Sequence, residues 1–237
     1  MTKFSDQMLH YSMPVLLFGN APLAPSITAM LAAMEDFPVL AADGGVHAAL
    51  ACGLTPQAVI GDMDSATLDQ SSPALPDEIR QIRMSGQDDT DFEKCLGLIE
   101  APLIIGFGFM DGRFDHALGV LDVLARLPHG RPVLLIGAHD LLLCLRGNVE
   151  IDLPLDSRVS VWPLWQQSFV RSGGLAWPLD GLALRVGKIT GTSNKVSSRP
   201  VVIEAGAGDG YAVITSPDSF DAIYRTAMAL ASKDGIF

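Results

Sequence analysis

Residues 38–62 read PVLAADGGVHAALACGLTPQAVIGD, in which two short apolar runs flank an alanine-rich segment. The runs PVLAA and AVIGD have the length and the continuous apolar character of strands that are buried on both faces. The segment between them, residues 45–52, has the residue spacing of a helix. The stretch therefore predicts parallel strands that are covered by helices.

The same alternation continues from residue 14 to about residue 137. It predicts further buried strands at 14–19, 102–107 and 132–137, and further helices at 25–35, 90–100 and 115–127. Such a sheet binds ligands at the carboxyl ends of its strands.

Beyond residue 138 the pattern changes to short apolar runs separated by Gly, Pro, Asp and Asn, which is typical of a small antiparallel β domain. The tail 217–232 has Pro and Asp at the start of a predicted helix. We therefore expect an α/β domain at 1–138 and a β domain at 139–237.

Composition restricts the function classes. The chain has 237 residues, of which 49% are hydrophobic and 18% charged, so a folded globular protein is expected. Its formal net charge of −11 opposes binding to nucleic acid and to anionic lipid. No apolar run approaches the roughly 20 residues that span a bilayer, which predicts a cytoplasmic protein without a membrane partner. Cys52, Cys95 and Cys144 lie far apart and are expected to be free thiols.

Acidic motifs follow the predicted strands. In GDMDS (61–65), Asp62 and Asp64 point to the same side of an extended chain. In QDDTDF (87–92), Asp88 and Asp91 are three residues apart, which places them on one face of a helical turn. A third motif, DGRFDH, stands at 111–116, between a strand and a helix.

Between residues 61 and 91 the chain has eight acidic side chains and two basic ones. Clustered carboxylates repel one another unless a cation shares them, and Mg²⁺ prefers carboxylate and phosphate oxygens. The acidic motifs therefore favour a Mg²⁺ site that accompanies ATP. Any single Asp at such a position is also a common helix or strand cap.

Six motifs in this order resemble the thiamine pyrophosphokinase (thiamine diphosphokinase) family: DGG (43–45), GDMDS (61–65), QDDTDF (87–92), GRFDH (112–116), WPL (177–179) and GTSN (191–194). The resemblance implies transfer of a diphosphoryl group from ATP to the hydroxyl of thiamine, with Mg²⁺. It also implies an N-terminal α/β catalytic domain, a C-terminal β-sandwich that binds thiamine, and a homodimer.

The resemblance also implies roles for individual residues. Asp62, Asp64, Asp88 and Asp91 match the carboxylates that hold Mg²⁺ and orient the triphosphate. Arg113 matches a residue that stabilises phosphate charge.

The remaining matched positions are expected to contact the substrates. Asp115 could accept a proton from the thiamine hydroxyl. In the β domain, Trp177 would offer its ring to the cationic heterocycle, and Ser193 and Asn194 would form hydrogen bonds with it.

The DGG motif follows a predicted strand and is open to two interpretations. Asp43, Gly44 and Gly45 form either a generic turn or a close backbone approach to the nucleotide phosphates. Two departures from the family pattern are present: Gly86 stands where the family commonly has Asp, which affects metal stoichiometry, and His47 stands where it often has Asn.

Two other function classes stay open at this point. Haloacid-dehalogenase-type phosphatases also place a DxD pair after a buried strand, but they generally require Thr or Val where this chain has Ala66. A thiamine or nucleotide sensor on a retained fold is the non-enzyme alternative, and Gly86 is the feature that favours it.

Overall fold

A computed structural model of the chain describes residues 7–63, 75–84, 89–126 and 131–233. They separate into two compact units. The N-terminal unit comprises the described residues of Met1–Val123 together with Ile136–Ala138, and the C-terminal unit those of Leu124–Leu135 and His139–Phe237. The assignment of separate functions to 1–138 and 139–237 stays a prediction.

The N-terminal unit contains seven short strands in its described part: β1 (Leu9–His10), β2 (Val15–Phe18), β3 (Val39–Ala42), β4 (Ala58–Gly61), β5 (Arg80–Arg83), β6 (Ile99–Glu100) and β7 (Ile104–Phe107). Five of them pair in the order β7-β2-β3-β4-β5, and every pair is parallel. All residues of β2, β3, β4 and β7 are buried. The predicted parallel sheet is confirmed.

Four helices accompany this sheet: α1 (Ile27–Leu31), α2 (Gly45–Ala51), α3 (Asp91–Leu98) and α4 (Phe114–Arg126). A 3₁₀ turn, Ala32–Met34, extends α1. Because the paired strands are parallel, β2, β3, β4 and β7 all end at the same edge of the sheet. The loops after them, together with the start of α3, contain the candidate site.

The strand β8 (Val133–Ile136) and the helix α4 are each divided between the two units. The C-terminal unit then continues with β9 (Leu141–Leu145), β10 (Val149–Ile151), β11 (Arg158–Pro163), β12 (Gln166–Gly173), β13 (Ala183–Arg185), β14 (Gly191–Lys195), β15 (Val201–Gly208), β16 (Tyr211–Thr215) and α5 (Phe220–Lys233). The helix α5 lies where the sequence predicts a terminal helix.

The strands of the C-terminal unit form two antiparallel sets, β14-β11-β16-β9 and β10-β15-β12-β13. The ring of Phe169 on β12 meets the fully buried ring of Tyr211 on β16 edge to face, at 5.3 Å between centroids. Side chains of the two sets therefore pack against each other, as in a β-sandwich. The predicted fold class is confirmed.

The cysteines are free thiols, as the sequence predicts. Cys95 and Cys144 are buried, and Cys52 is partly exposed. No helix within the described ranges is both long enough and apolar enough to cross a membrane.

Candidate functional site

Three aspartates meet at the carboxyl edge of the parallel sheet. Asp43 follows β3, Asp62 follows β4, and Asp91 is the first residue of α3. One carboxylate oxygen from each lies within 4.8 Å of the other two. We call Asp43, Asp62 and Asp91 the carboxylate cluster. Asp43 is buried, whereas Asp62 and Asp91 are partly exposed.

The backbone around the cluster is tightly packed. A Cβ atom on Gly61 would lie 2.9 Å from the Asp43 Cβ and 3.2 Å from the Asp91 Oδ1, so only glycine leaves room for the cluster. Asp43 and Met63 have positive φ values of 41° and 72°. A positive φ is uncommon for residues other than glycine and persists only where the surroundings enforce it. The loops after β3 and β4 are therefore held in defined conformations.

Asp91 is fixed by its place at the start of α3. Thr90 caps this helix, and its side-chain oxygen accepts a hydrogen bond from the Glu93 N–H at 3.2 Å. The ammonium group of Lys94 donates to Asp91 Oδ1 at 2.8 Å, and the Lys94 side chain is only 4% exposed. Burial raises the pKa of Asp91, the bond to Lys94 opposes that rise, and the charges of the other two aspartates add to it.

A cavity of about 750 Å³ lies within the N-terminal unit, next to the cluster. The residues that line it include five predicted from the sequence, Asp43, Gly44, Asp91, Arg113 and Asp115, and also His116. Its apolar wall includes Phe92 and Phe109, whose rings lie 4.7 Å apart. The cavity therefore combines an acidic end, a cationic side chain and an aromatic surface.

The two glycines of the DGG motif have different surroundings. Gly44 lines the cavity, and the carboxamide of Asn20 occupies the space where a Gly44 side chain would stand, 2.8 Å from an added Cβ. Gly45 does not line the cavity; a Cβ there would lie 2.0 Å from the Phe18 carbonyl oxygen. The absence of a side chain at Gly45 thus allows α2 to approach β2, and the absence of one at Gly44 leaves room for the carboxamide of Asn20 at the cavity wall.

Arg113 and Asp115 form an exposed ion pair at the rim of the cavity. The Arg113 Nη2 lies 2.5 Å from the Asp115 Oδ2, and the Nε lies 3.1 Å from Oδ1. The hydrogen bond to Arg113 lowers the pKa of Asp115, and the same bond raises the pKa of Arg113. Asp115 is therefore a weaker base than an unpaired aspartate.

The β-domain residues predicted to bind thiamine lie together in the C-terminal unit. Trp177 is 62% exposed, Ser193 is exposed, and Asn194 is 6% exposed. The carboxamide of Asn194 is hydrogen-bonded to the backbone of Trp177. Ser193 has a φ of 59°, and its N–H donates to the Ser160 hydroxyl. Their binding roles stay predictions.

Two predicted metal ligands, Asp64 and Asp88, lie outside the described residues, as do Gly86 and Ala66. His47 is exposed on α2 and does not line the cavity.

Two features of the site were not predicted. The sequence pattern assigns Asp43 to a generic turn or to the nucleotide phosphates, although this aspartate follows the strand next to the one that precedes Asp62. Lys94 was not considered, although it stands three residues after Asp91, a spacing at which helical side chains are neighbours.

Comparison with known proteins identifies similar chains. Residues 34–135 match the family model described as thiamin pyrophosphokinase, catalytic domain. The chain is 27% identical over 165 residues to thiamin pyrophosphokinase 1 of Caenorhabditis elegans, and 31% identical over 167 residues to thiamine pyrophosphokinase 1 of Arabidopsis thaliana. Each match covers 63% of this chain. The chain spans less than two thirds of either relative, 66% of the first and 62% of the second.

Solved structures agree at the level of the fold. The thiamine pyrophosphokinase of Bacillus subtilis matches with a TM-score of 0.68 at 21% identity, over 86% of this chain and 99% of that chain. Yeast thiamin pyrophosphokinase matches with a TM-score of 0.70 at 14% identity, over 92% of this chain and 90% of that chain. The family model, the relatives and the shared fold together confirm that this chain resembles the thiamine pyrophosphokinase family.

Proposed function

We propose that the protein is a Mg²⁺-dependent thiamine diphosphokinase, which transfers a diphosphoryl group from ATP to the hydroxyl of thiamine and releases AMP. The observation that carries this proposal is the convergence of Asp43, Asp62 and Asp91 beside a cavity that Arg113 also lines. The matched catalytic-domain model over residues 34–135 supports the same activity.

The carboxylate cluster fits the metal that this reaction requires. Mg²⁺ takes oxygen ligands and usually combines one or two carboxylates with phosphate oxygens and waters. Three carboxylate oxygens within 4.8 Å of one another provide such donors. The proposed ligands are Asp43, Asp62 and Asp91, together with the predicted ligands Asp64 and Asp88. When bound, the ion would neutralise charge on the triphosphate.

The chemistry is an in-line displacement. The thiamine hydroxyl oxygen forms a bond to the β-phosphorus of ATP, the bond from that phosphorus to the oxygen it shares with the α-phosphorus breaks, and AMP leaves with the bridging oxygen. The hydroxyl proton passes to Asp115 or to solvent. Phosphoryl transfer depends mainly on positioning and charge neutralisation, and the lowered pKa of Asp115 makes it a modest proton acceptor.

Arg113 is placed to act on phosphate charge. Its guanidinium group is exposed at the cavity, where it pairs with Asp115. Guanidinium groups bind phosphate oxygens through two parallel hydrogen bonds. In the proposed reaction Arg113 binds the transferred diphosphate, and Gly44, which lines the cavity, is the proposed backbone contact for the nucleotide.

The substrate-binding roles extend to the C-terminal unit. Trp177 is the proposed contact for the thiamine ring, since an exposed indole attracts a cationic heterocycle. Ser193 has an exposed hydroxyl for a polar contact. Asn194 is proposed to support the Trp177 backbone in addition to its predicted contact with thiamine.

The test is an assay of the purified full chain with Mg²⁺, ATP and thiamine, in which AMP and thiamine diphosphate are measured together. The proposal expects the two products in equal amounts and none after EDTA is added. Release of inorganic phosphate from phosphomonoesters, without thiamine diphosphate, would instead indicate the phosphatase. Thiamine binding by calorimetry without turnover would indicate the sensor.

Assembly and location are parts of the same proposal. A homodimer is proposed from the family resemblance, and exposed apolar side chains such as Trp165 and Val170 offer surface for it. Light scattering of the purified protein measures the assembly. A cytoplasmic location is proposed from the sequence pattern, and cell fractionation tests it.

A further inference from the structure

Lys94 is unusual in its burial. Among the residues that the structure describes, it is the only basic side chain with less than a tenth of its surface exposed. Lysine is rarely buried unless it is paired, because burial of an isolated ammonium group is costly. Its partner is Asp91 Oδ1, at 2.8 Å, so Lys94 is directed at the carboxylate cluster from inside the protein.

A pair three residues apart on a helix often does no more than add a few tenths of a kcal/mol to helix stability when it is exposed. Lys94 differs because its side chain is buried and its partner belongs to a group of three aspartates. With all four groups ionised, the three carboxylates and the Lys94 ammonium group contribute −2 between them, and the carboxylates alone contribute −3.

The hydrogen bond also affects the ligand atoms. An oxygen that accepts a bond from an ammonium group has less electron density to offer a metal ion, and a nearby positive charge repels the ion. Lys94 therefore has two effects on the cluster. It reduces repulsion among the carboxylates when no metal is bound, and it weakens the attraction of the cluster for a metal ion alone.

We propose that Lys94 is a positioning residue, the internal counter-ion of the carboxylate cluster. It holds Asp91 in place in the metal-free protein and lowers the affinity of the cluster for a free divalent cation, so that the cation binds with the nucleotide phosphates. The role assigned to the nucleotide rests on the function proposed above. The effect on metal binding stands without it.

The experiment measures binding of Mn²⁺, which replaces Mg²⁺ as a probe, through loss of the free Mn²⁺ signal in electron paramagnetic resonance. Lys94→Met removes the charge at similar size, and Lys94→Arg retains it. We expect the full-length Lys94→Met variant to bind Mn²⁺ alone about tenfold more tightly than the wild type, and Lys94→Arg to stay within about twofold. Equal or weaker Mn²⁺ binding by folded Lys94→Met overturns the proposal.

A matched control separates the effect of Lys94 on Mn²⁺ binding from the effect of the protein's net charge. Lys195 forms an exposed ion pair with Asp156 at the same 2.8 Å distance in the C-terminal unit. Lys195→Met should leave Mn²⁺ binding unchanged. A tenfold change in this control would show that net charge, and not the position of Lys94, governs the affinity.

Thermal melting keeps the test decisive if Lys94→Met is unstable. A purely structural pair would lower the melting temperature equally in EDTA and in saturating Mn²⁺. The counter-ion role predicts that saturating Mn²⁺ restores at least half of the fall in melting temperature. A variant that folds only after Mn²⁺ is added would also agree with that role. Lys94→Met and Lys94→Gln variants that stay unfolded with Mn²⁺ would contradict it.

A nucleotide arm distinguishes this inference from the proposed function. With α,β-methylene-ATP, whose bridging group blocks transfer, Mn²⁺ affinity should rise more in the wild type than in Lys94→Met. Tighter Mn²⁺ binding by Lys94→Met, with no thiamine diphosphate made by the wild type, would support the inference and refute the proposed function. Normal product formation by the wild type, with unchanged Mn²⁺ affinity in Lys94→Met, would support the proposed function and refute the inference.

Discussion

Asn194 forms two hydrogen bonds with the backbone of Trp177: its carboxamide oxygen accepts from the Trp177 N–H at 3.1 Å, and its carboxamide nitrogen donates to the Trp177 carbonyl oxygen at 2.7 Å. The same oxygen accepts from the Lys195 N–H at 2.8 Å. A buried side chain on β14 thus fixes the peptide of an exposed tryptophan seventeen residues away.

Replacing Asn194 with Ala should therefore destabilise the protein. The change leaves two backbone groups of Trp177 without their partners, which costs about 1–3 kcal/mol. The measurement is the free energy of unfolding in urea. Thr192→Ala, on the exposed part of the same strand, is the control and should change it by less than about 0.5 kcal/mol. Equal effects of the two variants would refute the supporting role.

Trp177→Ala should affect thiamine and not stability. Its side chain is 62% exposed, so its removal costs little packing. Loss of a cation–π contact worth about 0.5–2 kcal/mol predicts a KM for thiamine that is about 2- to 30-fold higher. Trp165, which is 56% exposed in the same unit, is the matched control. An equal rise of the KM for thiamine in Trp165→Ala would contradict the assignment of Trp177 as the thiamine contact.

Neutralising the carboxylate cluster should abolish most activity. Asp43→Asn and Asp62→Asn should each lower kcat/KM for thiamine diphosphate formation by about 100-fold or more, because charge stabilisation is a large part of such catalysis. Asp36→Asn, an exposed change in the same unit, should stay within about twofold. His116→Ala should lose less than about tenfold. Near-normal activity in both cluster variants would refute the metal assignment.

Gly45→Ala should destabilise the N-terminal unit by about 3 kcal/mol, at the upper end for overpacking, because the added Cβ would lie 2.0 Å from the Phe18 carbonyl oxygen. Gly119→Ala in α4 is the control. An added Cβ at Gly119 has no other atom within 4 Å, so this change should stabilise the helix by about 0.5–1 kcal/mol. The free energy of unfolding in urea, measured for both variants, should fall in Gly45→Ala and rise in Gly119→Ala.

Thiol chemistry should distinguish the three cysteines. Burial raises the pKa of Cys144 to about 12 and that of Cys95 well above its ordinary value. Because the thiolate is the reactive form, neither should react with Ellman's reagent at pH 8 in the native protein. The partly exposed Cys52 should react slowly, and faster as the pH rises. One thiol should titrate before denaturation and three after it, and Cys52→Ser should remove the native reaction.

The parallel sheet could be predicted because its central strands are continuous apolar runs. Residues 15–18, 39–42, 58–61 and 104–107 are all buried, so their sequence carries a strong signal. The strand β5, RQIR, was missed because three of its four residues are exposed and polar at the edge of the sheet. The strands β12 and β14 are rich in polar residues and were missed too; β12 lies between β15 and β13, and GTSN in β14 has the composition of a turn.

The candidate site was predicted in part. The motifs placed acidic residues after strands, and the geometry brings Asp62 and Asp91 together as expected. Asp43 could not be assigned to the same group from spacing alone, because its distance from Asp62 depends on the pairing of β3 with β4. The pairing of Lys94 with Asp91 depends on the burial of one face of α3, which a lysine in a sequence does not reveal.

The carboxylate cluster has a consequence for fragments of this protein. Asp43, Asp62 and Asp91 come from the ends of two strands and the beginning of a helix. A short peptide around any one of them has none of the neighbouring strands that bring the other two within reach. Peptides cut from this chain will therefore lack the group of three carboxylates on which the proposed metal site depends.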